Sequence, residues 1–136
     1  MDKVRQRLAG DDGFTLVEIL IVIVIIGILL AISVPSYLGF KDRANNRAAQ
    51  SDIRNAIPAV EAFYADKGTY SNLTVAHIRS SIDAGVSNKV VLSGVGSATY
   101  CVGATVGSKS WSVKGPGATM WYSAAADCTG VSTTSP

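Results

Sequence analysis

Three observations predict an α+β fold for this chain. The first is an apolar run from Phe14 to Val34 that carries a single acid, Glu18. The second lies beyond Pro35, where Ala49, Ile53, Ile57, Val60 and Tyr64 recur at i, i+4, i+8, i+11 and i+15, the spacing of one helical face. The third begins at Lys89, where short β-type runs alternate with glycine and proline turns. Together they predict a long N-terminal helix, apolar in its first half and amphipathic in its second. Its amphipathic face packs on a small antiparallel sheet. The chain then reads as a polar leader at 1–13, an apolar helix at 14–34, its amphipathic continuation at 35–67, and a loop and sheet domain at 68–136.

Composition narrows the function. The net charge is +2 and no basic run is present, so nucleic acid is not called for as a partner. Charged residues make up 16% of the chain, against about 25% in an ordinary soluble domain, and the apolar run accounts for much of the deficit. No Ser/His/Asp set, paired carboxylates or phosphate-cradling glycine motif is present, so an enzyme is the weakest reading. His77 is the one histidine, and no Cys, Asp or Glu stands at ligand spacing from it. Neither a metal nor a cofactor is expected.

The leader is short and polar, with Lys3, Arg5 and Arg7 offset by Asp2, Asp11 and Asp12. It reads as a targeting segment. As a helix, Phe14 to Val34 spans about 31 Å, which matches the ~30 Å hydrocarbon core of a bilayer. The chain is therefore expected to be membrane-anchored or membrane-derived. An ordinary secretory signal would be cut after Ala31-Ile32-Ser33. Glu18 argues against it, because an acid at the centre of a spanning helix costs about 2.5–3.5 kcal/mol. That cost is smaller near an end, but a plain signal gains nothing by accepting it. Charge does not set the orientation, since Lys41, Arg43 and Arg47 beyond the run balance the three basic residues of the leader. Gly27 and Ala31, four apart, offer a small-residue contact strip. No second ionisable group follows Glu18 before Lys41 apart from Tyr37, so a proton relay has no support.

Gly13-Phe14-Thr15-Leu16-Val17-Glu18 followed by the apolar run resembles the N-terminus of type IV prepilins and the related type II secretion pseudopilins. The resemblance implies cleavage by a prepilin peptidase between Gly13 and Phe14, and methylation of the new N-terminus at Phe14. It also implies an N-terminus-in orientation, the inner-membrane pilus assembly machinery as a partner, and self-association into a homopolymeric filament. The subunit would be held in the bacterial cytoplasmic membrane as precursor and pool, then carried to an extracellular pilus. The Asp11-Asp12 pair stands where this family more usually has basic residues.

Two accounts of Glu18 follow. A carboxylate at a helix head gains about 0.3–1 kcal/mol from the macrodipole. In an assembly of parallel staggered helices, the amine released at Phe14 of one chain can instead meet Glu18 of another. An unpaired buried charge is heavily penalised, so such a pair selects one stagger. The resemblance implies this second role, assembly.

Pro35 and Pro58 each remove a backbone donor, so both are expected to kink the helix, with Gly27 as a further weak point. Arg47, Gln50, Arg54, Asn55 and Glu61 are placed on the outer faces of the amphipathic half. Gly68 is the expected stop. The segment Phe63 to Tyr70, FYADKGTY, also looks like the end of the long helix in many pilins and pseudopilins.

Beyond it, Asn72-Leu73-Thr74 matches a glycosylation sequon by chance, and Val75 to Ile78 is a possible short helix. Four strands are expected: Lys89–Leu92, Ala98–Val102, Lys109–Lys114 and Thr119–Ser123. Gly103 and Gly107 fall in one turn and Gly115-Pro116-Gly117 in another.

Two cysteines, Cys101 and Cys128, lie well downstream of the apolar run and pair if that side of the membrane is oxidising. Closing that loop is worth about 3–4 kcal/mol on the chain-entropy model. A redox or metal pair would need closer spacing or further ligands. A C-terminal disulfide loop resembles type IV pilins more than the major pseudopilins. The expected function is a pilus structural subunit. The alternatives are a pseudopilin of a secretion or DNA-uptake system, or a membrane-anchored binding module, which leaves Gly13 and Glu18 unexplained.

Overall fold

The computed structural model describes residues 14–133. The leader, and with it the Gly13 side of the expected cleavage junction, lies outside the described residues. Two helices and five strands follow in order: α1 (Leu16–Lys67), α2 (Val75–Ser81), β1 (Val90–Ser93), β2 (Tyr100–Val106), β3 (Lys109–Gly115), β4 (Met120–Ser123) and β5 (Val131–Thr133). The chain divides into two compact units, one ending at Gly39 and the other Phe40–Pro136.

The first unit is the apolar half of α1. Its isoleucines and valines are modest helix formers in water. In an apolar medium a helix is favoured because it satisfies every backbone group internally. The helix continues through Gly27 and Pro35, although Pro35 has no N–H to offer the carbonyl of Ala31.

In the second unit, α1 buries Ala49, Ile53, Ala56, Ala59, Val60 and Phe63. This corrects the expected face at two positions. Phe63, not Tyr64, enters the core, while Tyr64 is 39% exposed and Ile57 only partly buried. The true stripe is 53, 56, 60 and 63, widened by alanines that leave room for the sheet. Pro58 lies within α1 on the exposed side. The helix ends where Gly68, at φ 70°, donates its N–H to the Tyr64 carbonyl at 2.7 Å, a left-handed cap that glycine adopts without strain.

Asn72-Leu73-Thr74 serves the fold. Asn72 takes a positive φ of 66°, Leu73 is buried, and Thr74 caps α2 by accepting the His77 N–H at 3.1 Å. His77 packs edge-on against Phe63 with ring centroids 5.3 Å apart.

The sheet is an antiparallel meander in the order β1-β2-β3-β4-β5. Two strand expectations need correction. A fifth strand, β5, pairs with β4 through Trp121↔Thr133. β2 also runs on through Gly103 to Val106 instead of turning there, so that Tyr100↔Gly115 and Val106↔Lys109 close a hairpin. Its two-residue turn is Gly107-Ser108, with Gly107 at φ 59°, the left-handed backbone such turns require. Gly103 is glycine for another reason: a Cβ there would collide with the backbone of Ala126, which crosses the strand.

Alternation gives the sheet two faces. Val90, Leu92, Tyr100, Val102, Ala104, Val113 and Trp121 join the α1 stripe in one core. Cys101, Gly103 and Ser112 point the other way, beneath the C-terminal loop.

Candidate functional site

At the head of α1, the Thr15 hydroxyl accepts the Glu18 backbone N–H at 3.2 Å. Thr15 therefore caps the helix, and Thr15-Leu16-Val17-Glu18 has the spacing of a capping box. That signal is present in the sequence. The cap fixes where the helix begins and leaves Glu18 in its first turn. The Glu18 side chain is exposed there, near the partial positive charge of the helix end. Phe14, 77% exposed, stands just before the cap.

From Leu16 to Phe40 every large apolar side chain is open, at 47–81% of its full exposure. This surface far exceeds the few hundred square ångströms that a soluble monomer leaves apolar. By length and composition this part of α1 is a membrane-span candidate. Gly27 and Ala31 lie within it, and nothing within 4 Å would oppose a Cβ at Gly27.

In the second unit, polar side chains of α1 hold the sheet. Glu61, expected on an outer face, instead accepts hydrogen bonds from Tyr70 Oη at 2.7 Å and Tyr100 Oη at 2.5 Å. A 3.6-residue pattern marks apolar residues as inward and acids as outward, so it cannot foresee an acid that two buried phenols recruit. The rings of Tyr64, Tyr70 and Tyr100 pack in series, with centroids 4.5 Å and 4.7 Å apart. Burial, and then the hydrogen bond and negative charge of Glu61, push both the Tyr70 and Tyr100 phenols well above their ordinary range. Farther along, Asn46 accepts from Trp111 Nε1 at 2.9 Å, Arg54 lies 5.4 Å from the Trp121 ring centroid, and Asp42 pairs with Lys109 at 3.0 Å.

On the opposite face of the sheet, Cys101 and Cys128 form a disulfide with Cα atoms 6.1 Å apart. Ser112 is fully buried beside it. Its hydroxyl donates to the Ala125 carbonyl at 2.9 Å and accepts the Cys128 N–H at 3.0 Å. The disulfide and Ser112 together pin the C-terminal loop across β2 and β3. Among the described residues of this unit, the polar side chains with partners named above close the fold.

Residues 9–34 match the family model described as the prokaryotic N-terminal methylation motif. The type IV wide pilus major component PilA4 of Thermus thermophilus is 32% identical over 118 residues, which cover 85% of this chain and 82% of that protein. The type IV major pilin protein PilA of Myxococcus xanthus is 38% identical over 62 residues, 46% of this chain. There the match spans only 28% of the relative's length. The type II secretion system core protein G of Klebsiella michiganensis is 43% identical over 65 residues, 48% of this chain and 46% of that protein.

Proposed function

This chain belongs to the type IV pilin family, and from that premise we propose that it is the structural subunit of a type IV pilus. A prepilin peptidase cuts between Gly13 and Phe14, the Phe14 amine is methylated, and the inner-membrane assembly machinery moves the subunit from the cytoplasmic membrane into an extracellular filament. The observation that carries this reading is the apolar half of α1: a large open hydrophobic surface with one acid at its head. In the bilayer, lipid covers that surface. In a filament, the same half of other copies covers it.

Glu18 supplies the register. The amine of an incoming Phe14 is a cation with no partner in an apolar bundle, and the carboxylate of another copy provides one. A stagger that separates the two leaves two buried charges unpaired, which is far costlier than any single side-chain contact. Pro35 and Pro58 each leave a carbonyl without its helical donor, and with Gly27 they are the places where α1 yields when subunits pack.

A pseudopilin of a secretion or DNA-uptake system is the second reading, favoured by the secretion-system relative aligned to about half the chain. The longer alignment, whose 85% share of the chain carries it well beyond α1 into the sheet, favours the pilus.

N-terminal sequencing of the sheared surface fraction tests the proposal. N-methylated Phe14 is expected. A start at Val34 would indicate an ordinary signal peptide, and a start at Met1 a retained anchor. Either would overturn the reading.

A further inference from the structure

We propose that the turn of α1 just beyond the apolar run is a docking site for anionic phospholipid headgroups, formed by Phe40, Lys41, Arg43, Ala44 and Arg47. The inference rests on the reading of the chain as a subunit stored in a membrane. Four of these residues line a shallow groove: Phe40 and Ala44 one turn apart on one side, Arg43 and Arg47 one turn apart on the other. The small Ala44 side chain adds little to the groove's wall. Arg43 and Arg47 are exposed, and among the described residues neither takes part in an ion pair. Two forked donors beside an aromatic wall suit a phosphodiester with acyl chains beneath it.

Position argues for lipid over other anions. Lys41 is the first charge after Glu18, so the basic cluster begins where the apolar surface stops. Along a helix Arg43 lies about 5 Å and Arg47 about 10 Å past Phe40. With their side chains they reach the headgroup layer, which is roughly 5–8 Å deep on each side of the hydrocarbon. The acid in this turn, Asp42, is drawn off by Lys109 at 3.0 Å. That pairing leaves the collar positive toward the leaflet. It also gives a reason for the three basic residues that leave the charge count across the run tied, where translocated flanks are normally poor in Lys and Arg.

The test uses the full chain in phosphatidylcholine vesicles containing trace pyrene-labelled lipid. Energy transfer from Trp111 and Trp121 reports which headgroup gathers around the protein. Labelled phosphatidylglycerol should be enriched over labelled phosphatidylcholine, with each arginine contributing up to about fivefold at low salt. Arg43→Gln with Arg47→Gln should lower the preference severalfold, to no more than Lys41 and the leader supply, and 0.5 M salt should weaken it. Lys109→Gln, which releases Asp42 toward the collar, should lower it in part. Arg54→Gln, two turns further on and lying over Trp121, should leave it unchanged. Equal transfer to both lipids overturns the proposal, as does a preference that the double substitution leaves undiminished. Circular dichroism and an intact disulfide confirm that the variants fold. Because vesicles need no filament, a negative result here leaves the pilus reading untouched. A surface fraction lacking Phe14 at its N-terminus leaves this measurement readable.

Discussion

The two halves of α1 share a backbone but not a solvent. Between Asn46 and Phe63 the helix buries one stripe against a sheet of its own chain, and its polar side chains, Asn46, Arg54 and Glu61, each meet a partner in that sheet. Between Leu16 and Phe40 it is apolar all round and buries nothing. A helix of the first kind is stabilised by tertiary packing within the chain. One of the second kind needs a surrounding apolar medium, and in the proposed filament Glu18 is the group that would make that medium selective. The contrast separates folding from assembly, and substitutions in the two halves should fail in different assays.

The largest expected effect breaks assembly alone. Glu18→Leu should insert and fold normally yet give few or no filaments by electron microscopy, while Glu18→Asp retains some. Normal piliation by Glu18→Leu would sink the register argument. Next comes the disulfide. Cys101→Ser with Cys128→Ser should destabilise the sheet domain by about 3–4 kcal/mol, read from denaturant midpoints, and leave membrane insertion intact. The sharpest pairing compares one isoleucine from each half. Ile53→Ala, in the core, should cost about 3 kcal/mol of domain stability. Ile25→Ala, exposed on the apolar half, should change that stability by less than about 0.5 kcal/mol and lower only the filament yield.

A pH series probes the tyrosine pair. Folding holds the Tyr70 and Tyr100 phenols protonated above their ordinary range, so the folded state binds more protons than the unfolded one once pH exceeds about 10. Their contribution is therefore complete below that pH. It is lost above it, at up to about 1.4 kcal/mol per pH unit for each phenol. Glu61→Gln should shallow this alkaline decline without removing it, because burial remains. The smallest effect is local. Ala124 is held at φ 68°, so Ala124→Gly should stabilise the domain by about 0.5–1 kcal/mol, detectable as a rise in melting temperature.

How much of this was legible depended on the range of each signal. The cap at Gly68, the helix at Val75 and the apolar run rest on neighbours within a turn or two, and local pattern is enough to find them. Tyr64 and Phe63 differ by 100° on the helix, and periodicity across prolines and alanines does not decide which one faces inward. Gly103 looked like a turn because glycine in a strand is unfavourable on its own. Only the crossing of Ala126 above it makes the residue necessary. β5, three residues among serines and threonines, carries no alternation and exists because β4 offers an edge.

By itself the sequence determined the α+β class, the extent of the apolar helix, the acid at its head and a cysteine pair able to close. Each is a matter of local composition, and apolar length and charge act on the chain wherever it later packs. The tertiary structure decided which side of the amphipathic half is core, that Glu61 belongs to Tyr70 and Tyr100, that Ser112 and the disulfide hold the last loop, and that Asp42 leaves the basic collar for Lys109. These depend on groups brought together from distant positions, and hydrogen bonds and ion pairs of that kind exist only once the backbone has placed both partners within about 3 Å.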